Sequence, residues 1–147
     1  MAKKIVILTS GTTWTVPTDW VDAGSQIICI GGGGGGGRPV ATTNAGSGGG
    51  GGGGAWNTVS AIGITAGSTV NISIGAGGAG ATATNTNGVT GGDTWLNKAA
   101  ASAPTVATNG ALAKGGVRGL AANTGGAGGD SATGVPTTGF SGGTGGN

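Results

Sequence analysis

Residues 27–37 read Ile-Ile-Cys-Ile followed by seven glycines, so a short apolar run leads directly into polyglycine. A second run of seven glycines, 48–54, leads into a segment that opens at Trp56. Short apolar runs rich in β-branched residues predict strands. The glycine runs therefore lie between strands that share one core, and the role of glycine at these positions decides the fold.

The composition is neutral, β-rich and glycine-rich. Of 147 residues, 40 are glycine and 7% are charged, with a formal net charge of +2. Disordered chains combine low hydrophobicity with high net charge, so charge repulsion does not hold this chain open. The six cations are scattered and form no basic stripe, which argues against nucleic-acid binding. The length predicts one domain.

Period-two alternation predicts strands throughout the first half of the chain. Residues 69–74 give the clearest pattern, with Val70, Ile72 and Ile74 on one face. We expect this strand to form a hairpin with a strand at 56–64, and we expect a first strand at 5–8. A further hairpin is expected around Asn109-Gly110, between 105–107 and 111–113. No segment has the 3.6-residue period and caps of an α-helix.

These patterns predict an all-β fold: a small β-sandwich-like module with polyglycine-II-type segments and no α-helix. Two parts are expected to be continuous, a β module over 1–75 with two inserted polyglycine runs, and a glycine-rich region with short strands over 76–147. Cys29 reads as a small buried hydrophobe. The expected core residues are Ile5, Ile7, Trp14, Val16, Ile28, Ile30, Trp56, Ile64, Val70, Ile72, Ile74 and Trp95.

Two interpretations of the glycine runs remain open. Glycine-rich segments often behave as flexible linkers, but linkers normally join domains, and these runs lie between strands of one expected core. The alternative is a set of packed polyproline-II-type helices, with three residues per turn and no internal hydrogen bonds. Their backbone groups would then pair sideways with neighbouring helices, which glycine allows because it has no Cβ atom.

The sequence contains no catalytic or metal-binding constellation. Histidine is absent, so neither a histidine-based triad nor a histidine metal site is expected. The four aspartates lie in four separate turn-like contexts, and the single cysteine excludes a multi-cysteine metal site. We predict a non-enzymatic protein without a cofactor. Because no apolar stretch approaches the roughly 18 residues of a membrane span, we also predict no membrane insertion.

One order of elements runs through residues 11–17 (Gly-Thr-Thr-Trp-Thr-Val-Pro), 26–30, the polyglycine, 55–56, 64–78 and 92–95. This order resembles the glycine-rich domain of bacteriophage tail-fibre and adhesin proteins. This resemblance implies a virion protein, assembled in the host cytoplasm, whose glycine stretches pack as a polyglycine-II sandwich with distal loops that contact the host surface. It further implies other virion proteins and a host cell-surface glycan or outer-membrane protein as partners.

Uncharged loops rich in Thr, Asn and Ser suit hydrogen bonding to sugars, and an exposed tryptophan would stack on them. Trp20 lies in a turn, where it either packs or is exposed. The candidate receptor-contact residues are Trp20, Arg38, Thr42, Thr43, Asn44, Thr84, Asn85, Thr86 and Asn87. A structural role, as a capsid decoration or head fibre, is the alternative to attachment. A homo-oligomer is expected in either case, with a trimer as one form, because exposed strand edges need cover.

Overall fold

The computed structural model describes residues 4–40 and 47–147. Within this part of the chain the fold is all-β, with one 3-10 turn (Ser131–Thr133) and no α-helix, which confirms the predicted fold class. The strands are β1 (Thr13–Thr15), β2 (Gln26–Ile30), β3 (Trp56–Ser60), β4 (Thr69–Ser73), β5 (Thr94–Asn97), β6 (Gly110–Ala113) and β7 (Gly139–Phe140).

The strands form two antiparallel sheets that pack against each other. Sheet A has the order β1-β4-β5-β6, and sheet B has the order β2-β3-β7. Strands from 1–75 and from 76–147 pair within both sheets. The buried core between the sheets consists of Val16, Ile27, Cys29, Val59, Ile64, Val70, Ile72, Leu96, Ala111 and Ala113, with Trp14, Trp20 and Ile74 packed against it.

In β2 the predicted facing was wrong. Ile27 and Cys29 are buried, whereas Ile28 and Ile30 are 48% and 62% exposed. Successive side chains of a strand point to opposite faces, so Cys29 in the core places both of its isoleucine neighbours on the outside of sheet B. A run of four apolar residues contains no alternation from which this choice could be made.

Four further core predictions were wrong. Ile5 and Ile7 are exposed and lie in no strand, because residues 5–8 pair with neither sheet. Trp56 and Trp95 are half-buried but lie outside the core cluster. Alternation explains both: Asn57 and Val59 point inward in β3, and Thr94 and Leu96 point inward in β5, so the tryptophans occupy the outer faces.

The predicted hairpin between 56–64 and 69–74 does not form, because β3 and β4 belong to different sheets. The chain leaves sheet B at Ala61, whose φ is 48°, and at Gly63, whose φ is 77°. The Asp22 carboxylate then accepts hydrogen bonds from the N–H groups of Gly63 at 2.9 Å and Ile64 at 3.0 Å. These bonds hold the crossover that carries Ile64 into the core between the sheets.

The predicted hairpin around Asn109-Gly110 was also wrong. Residues 105–107 form no strand, and β6 pairs instead with β5, with Leu96 opposite Ala111. The Asn97 side chain shapes the intervening loop by accepting from the N–H of Ala99 at 2.9 Å and donating to the Ser102 carbonyl at 2.8 Å. The longer connection allows β5 and β6 to complete sheet A.

Seven glycine-rich segments extend from the sheets and pair only sideways. Their lateral hydrogen bonds recur at every third residue: the N–H groups of Gly34 and Gly37 donate to Gly52 and Gly49, both at 2.8 Å. This three-residue spacing is the period of the polyproline-II helix, so the glycine runs are packed structure. We name the segments PG1 (31–37), PG2 (48–54), PG3 (75–81), PG4 (88–92), PG5 (115–120), PG6 (124–129) and PG7 (142–146).

The pairings place the seven helices in two layers. PG3, PG1, PG2 and PG7 lie side by side in one layer, and PG4, PG5 and PG6 form the other. PG1 hydrogen-bonds PG4 and PG5 across the layers, and PG2 bonds PG5 and PG6. PG1, PG2 and PG7 continue β2, β3 and β7 in the order of sheet B, so the four-helix layer extends that sheet. We call this assembly the glycine slab.

Candidate functional site

The ends of the glycine helices that lie away from the sheets bring together segments distant in sequence. PG1 leads out of β2 and PG2 returns into β3, so the described parts of the connection between them, residues 38–40 and Ser47, lie at the far end of the slab. The connection 82–87, between PG3 and PG4, lies there too, as does 121–123, between PG5 and PG6. Asn147 lies there because PG7 leads out of β7. We call the described residues of these three connections, together with Asn147, the tip.

Arg38 joins the first two connections of the tip. Its backbone pairs with Thr86 in both directions, at 2.9 and 3.1 Å, and its guanidinium Nη1 donates to the Thr82 carbonyl. The N–H of Asn85 donates to the Pro39 carbonyl at 3.2 Å. Asn85 has a φ of 55°, a left-handed conformation that asparagine tolerates better than most residues. The loop is therefore held in one conformation, with the side chains of Thr84 and Asn85 exposed.

Three amide side chains join the remaining parts of the tip. Asn87 Oδ1 accepts from the N–H of Ala121 at 2.9 Å, and Ser47 Oγ donates to Asn123 Oδ1 at 2.9 Å. At the edge, Asn147 Oδ1 accepts from the N–H of Gly125 at 2.8 Å. Each connection of the tip is thus bound to at least one other, which makes the tip a continuous surface.

Charge is distributed unequally between the two ends of the described chain. The four aspartates lie at the sandwich end: Asp19 and Asp22 in the turn around Trp20, Asp93 before β5, and Asp130 before the 3-10 turn. Asp93 pairs with Lys114 at 2.5 Å and accepts from the N–H of Gly115 at 2.9 Å, where PG5 leaves sheet A. Arg38 is the charged residue of the described tip, so this end is cationic and otherwise presents amides and hydroxyls.

Two aspartates at the sandwich end have shifted pKa values. Partial burial opposes the charged form of Asp22, but the N–H groups of Ile64 and Gly63 outweigh it, and its pKa lies below the usual value. The hydrogen bond from Lys4 at 3.0 Å, together with its charge, lowers the pKa of Asp19. Both partners of that pair are exposed, so the pair contributes little to stability.

The tip gathers most of the residues predicted to contact a receptor. Arg38, Thr84, Asn85, Thr86 and Asn87 lie there together. Trp20 does not: it is half-buried, packs edge-on against Trp14 with ring centroids 5.6 Å apart, and belongs to the sandwich. The candidates Thr42, Thr43 and Asn44 lie outside the described residues.

Sequence reasoning missed Ser47, Asn123 and Asn147, although a signal for two of them is present. Residues 124–130 read Thr-Gly-Gly-Ala-Gly-Gly-Asp, and 141–147 read Ser-Gly-Gly-Thr-Gly-Gly-Asn. A three-residue period matches the turn of a polyproline-II helix. The residues that bound these Gly-Gly-X tracts mark helix ends, which places Asn123 before PG6 and Asn147 at the end of PG7.

A metal-binding cluster and a membrane-spanning helix are both absent from residues 4–40 and 47–147. These ranges hold no group of three His, Cys, Asp or Glu side chains that could bind a metal ion. They also hold no helix long and apolar enough to cross a membrane. An open groove lies beside the sandwich and is lined by residues that include Ser60, Ile62, Lys98 and Thr108.

Comparison with known proteins identifies a family but no individual relative. The family described as a glycine-rich domain matches residues 8–147, which is nearly the whole chain. No curated protein and no solved structure gives a significant match. The chain therefore belongs to the glycine-rich domain family.

Proposed function

We propose that this chain is a bacteriophage virion protein of the tail-fibre or adhesin type, and that the tip contributes to attachment to the host surface. The observation that carries the proposal is the hydrogen-bonded joining of three connections and Asn147 at one end of a slab. Rigid scaffolds commonly present binding residues on such loops. The resemblance to phage tail-fibre and adhesin domains supplies the context.

The side chains of the tip favour a cell-surface glycan over an outer-membrane protein as the receptor. Exposed amides and hydroxyls at Thr84, Asn85 and Asn87 offer both donors and acceptors to sugar hydroxyls. The exposed Arg38 guanidinium adds a cation for an acidic sugar or a phosphate. The described tip offers no aspartate or glutamate side chain that would repel an anionic glycan. Other virion proteins are the proposed partners at the sandwich end.

An assembly-only role is the alternative, in which the chain is a capsid decoration or a head fibre. The exposed side chains of Ile28, Ile30 and Phe140 on the outer face of sheet B favour it, because exposed apolar patches mark interaction sites. In both roles the protein belongs to the virion and is assembled in the host cytoplasm. Neither role requires catalysis.

Binding of the labelled full chain to a panel of bacterial isolates, followed by competition against phage infection, tests the proposal. Arg38→Ala and Asn85→Gly should each reduce binding at least about fivefold, and glycine at position 85 retains the left-handed backbone. Arg118→Ala makes the same charge change on an exposed residue outside the tip and should leave binding intact. Incorporation into particles without cell binding would instead support the assembly role.

A further inference from the structure

One face of the glycine slab is lined by glycine where the chain itself does not require it. We call it the outer glycine face; it is the side of the PG3-PG1-PG2-PG7 layer that points away from the three-helix layer. A Cβ atom added at Gly33, Gly36, Gly77 or Gly80 would lie 3.4 to 3.9 Å from its nearest neighbour, an ordinary contact. At Gly143 and Gly146 it would meet nothing within 4 Å.

The rest of the slab shows what packing does require. Between helices, an added Cβ would clash, as at Gly35, where it would lie 2.0 Å from the Ala79 carbonyl oxygen. On the opposite face, where space is also available, the chain carries the exposed side chains of Thr90, Arg118 and Ala127. Glycine in place of alanine costs roughly 0.5–1 kcal/mol in chain entropy. In PG1, PG3 and PG7 the outer glycine face thus retains a costly residue that intrachain packing does not explain. In PG2, by contrast, a Cβ on Gly50 or Gly53 would lie 3.2 or 3.3 Å from PG7.

The same face also has unpaired backbone groups. In PG1, the N–H groups of 31, 34 and 37 donate toward PG2, and those of 32 and 35 donate to PG4. In PG2, those of 49 and 52 donate to PG5, and those of 50 and 53 to PG7. The N–H groups of the third row in each helix donate to no described residue. This row consists of Gly33 and Gly36 in PG1, and of Gly51 and Gly54 in PG2.

The direction of this third row follows from helix geometry. Three residues per turn place the rows of N–H groups about 120° apart. Two rows of each central helix already point to neighbours within the slab, so the third points to the side on which no helix of the described chain lies. Unpaired backbone groups at regular spacing resemble an exposed sheet edge, which is a template for pairing with another chain.

The outer glycine face continues into an exposed apolar patch. PG1, PG2 and PG7 extend β2, β3 and β7 in the same order, so the outer side of sheet B adjoins this face. Ile28, Ile30 and Phe140 are 48%, 62% and 72% exposed there, and Trp56 packs on Phe140 with ring centroids 5.5 Å apart. Sheet B and the slab therefore share one surface with apolar and glycine halves.

We propose that this combined surface is the interface with a second copy of the chain, related by a two-fold axis parallel to the glycine helices. Only another glycine backbone can approach the outer glycine face closely enough to pair with Gly33, Gly36, Gly51 and Gly54, because any side chain would separate the two backbones. A second copy supplies such a face. The parallel axis also places apolar patch against apolar patch and leaves both tips at the same end.

The dimensions of the surface suit a weak but specific dimer. A five-residue strand of about 17 Å followed by a seven-residue glycine helix of about 22 Å sets the length. With elements about 4.8 Å apart, the face covers roughly 600 Å² per copy. Two copies bury roughly 1,200 Å², the lower end of specific interfaces. Interfaces at this lower limit of size are typical of weak or transient association. This association is independent of the proposed host attachment.

Analytical ultracentrifugation of the full chain over a concentration series tests the dimer. The expected result is a monomer–dimer equilibrium. The double variant Gly33→Ala/Gly36→Ala should raise the dissociation constant at least about tenfold. The separate variant Ile30→Thr should do the same. Both changes fit within a single copy, so their effect should fall on the dimer. Thr90→Ala/Arg118→Ala, on the opposite face, should leave it unchanged.

A monomer up to roughly 1 mM, a trimeric mass, or a dimer insensitive to the first two variants would overturn the proposal. Hydrogen exchange provides a second readout that needs no variant. The N–H groups of Gly33, Gly36, Gly51 and Gly54 should exchange rapidly in dilute monomer and slow as the dimer forms. Concentration-independent exchange at all four, in a sample that dimerises, would place the interface elsewhere.

Discussion

Gly35 and Ala79 approach each other so closely that a Cβ atom on Gly35 would lie 2.0 Å from the Ala79 carbonyl oxygen. Two residues earlier in the same helix, a Cβ on Gly33 would lie 3.6 Å from its nearest neighbour, the Gly52 carbonyl oxygen. Position within the three-residue turn therefore decides whether glycine is required. PG1 contains both kinds of position in one uninterrupted run.

Alanine substitutions within PG1 should consequently have opposite effects on stability. Gly35→Ala should destabilise the fold by about 3 kcal/mol or more, because backbone atoms of PG3 must move to admit the methyl group. Gly33→Ala should stabilise the dilute monomer by about 0.4–1 kcal/mol, because it restricts the unfolded chain without strain in the folded one. Urea unfolding monitored by tryptophan fluorescence measures both.

These two variants serve as controls for each other, since they make the same chemical change in the same run. Equal effects at both positions would be inconsistent with packed glycine helices and typical of a flexible linker, in which no position is special.

The Cys29 thiol should resist modification in the folded protein. Cys29 is buried in the core, with Sγ 3.7 Å from the Ala111 carbonyl oxygen, and burial raises the pKa of the thiol to about 12. Since the thiolate is the reactive form, iodoacetamide at pH 8 should label the chain only through unfolding. Labelling at the rate of a urea-unfolded control, measured by mass spectrometry, would contradict the assigned face of β2.

Asp22 should stabilise the sandwich in a pH-dependent way. Its carboxylate accepts from the N–H groups of Gly63 and Ile64, so Asp22→Ala should cost about 1 kcal/mol at pH 7. Because the folded-state pKa is lowered, the contribution of the charge is fully present above the unfolded pKa of about 3.9. It is lost as the pH falls through the folded pKa. Thermal unfolding between pH 2 and pH 7 should show the difference between wild type and variant narrowing below about pH 4.

Asp19→Ala provides the matched control for Asp22→Ala. Its carboxylate contacts Lys4 in an exposed pair and accepts no described backbone hydrogen bond from another segment. Little loss of stability is expected at physiological salt. Equal losses for the two aspartates would show that the hydrogen bonds of the crossover do not hold Ile64 in place.

Removal of PG7 should weaken the slab locally. The N–H groups of Gly50 and Gly53 donate to Gly146 and Gly143, at 2.7 and 2.8 Å. Truncation after Ser141 removes both acceptors and should accelerate hydrogen exchange at Gly50 and Gly53 at least about tenfold. The N–H groups of Gly49 and Gly52 donate to PG5 instead and should remain protected. Equal acceleration of exchange at all four N–H groups would indicate that PG2 does not pair with PG5 and PG7 in the way described.

The all-β class was predictable from the sequence. Packed glycine helices were one of two interpretations that the sequence left open, and the facing of the strands was only partly predictable. Alternation at Val70 and Ile72 identified buried residues because polar neighbours separate them. Ile28, Cys29 and Ile30 lack such neighbours, so their pattern fits either face. The position of Ile64 depended on the crossover held by Asp22, a tertiary contact 42 residues away in sequence that no local pattern reveals.

Two connections of the tip were predicted, but the third, 121–123, and the joining of all three were not. Arg38 and the residues 84–87 fall between glycine-rich segments, and this position identifies them as connections at helix ends. Their joining by Asn87 and by the Ser47–Asn123 bond depends on which helices are neighbours in the slab. The tryptophan in the turn, Trp20, followed the commoner outcome for a large apolar side chain and packed against Trp14.

Hydrogen exchange measured residue by residue along PG1 in a dilute, monomeric sample tests the glycine slab most directly. The N–H groups of 32, 34, 35 and 37 donate to neighbouring helices and should exchange at least about a hundredfold more slowly than in a random coil. Gly33 and Gly36 should exchange rapidly, giving protection with a three-residue period. Uniform random-coil exchange from 31 to 37 would contradict the packed glycine slab.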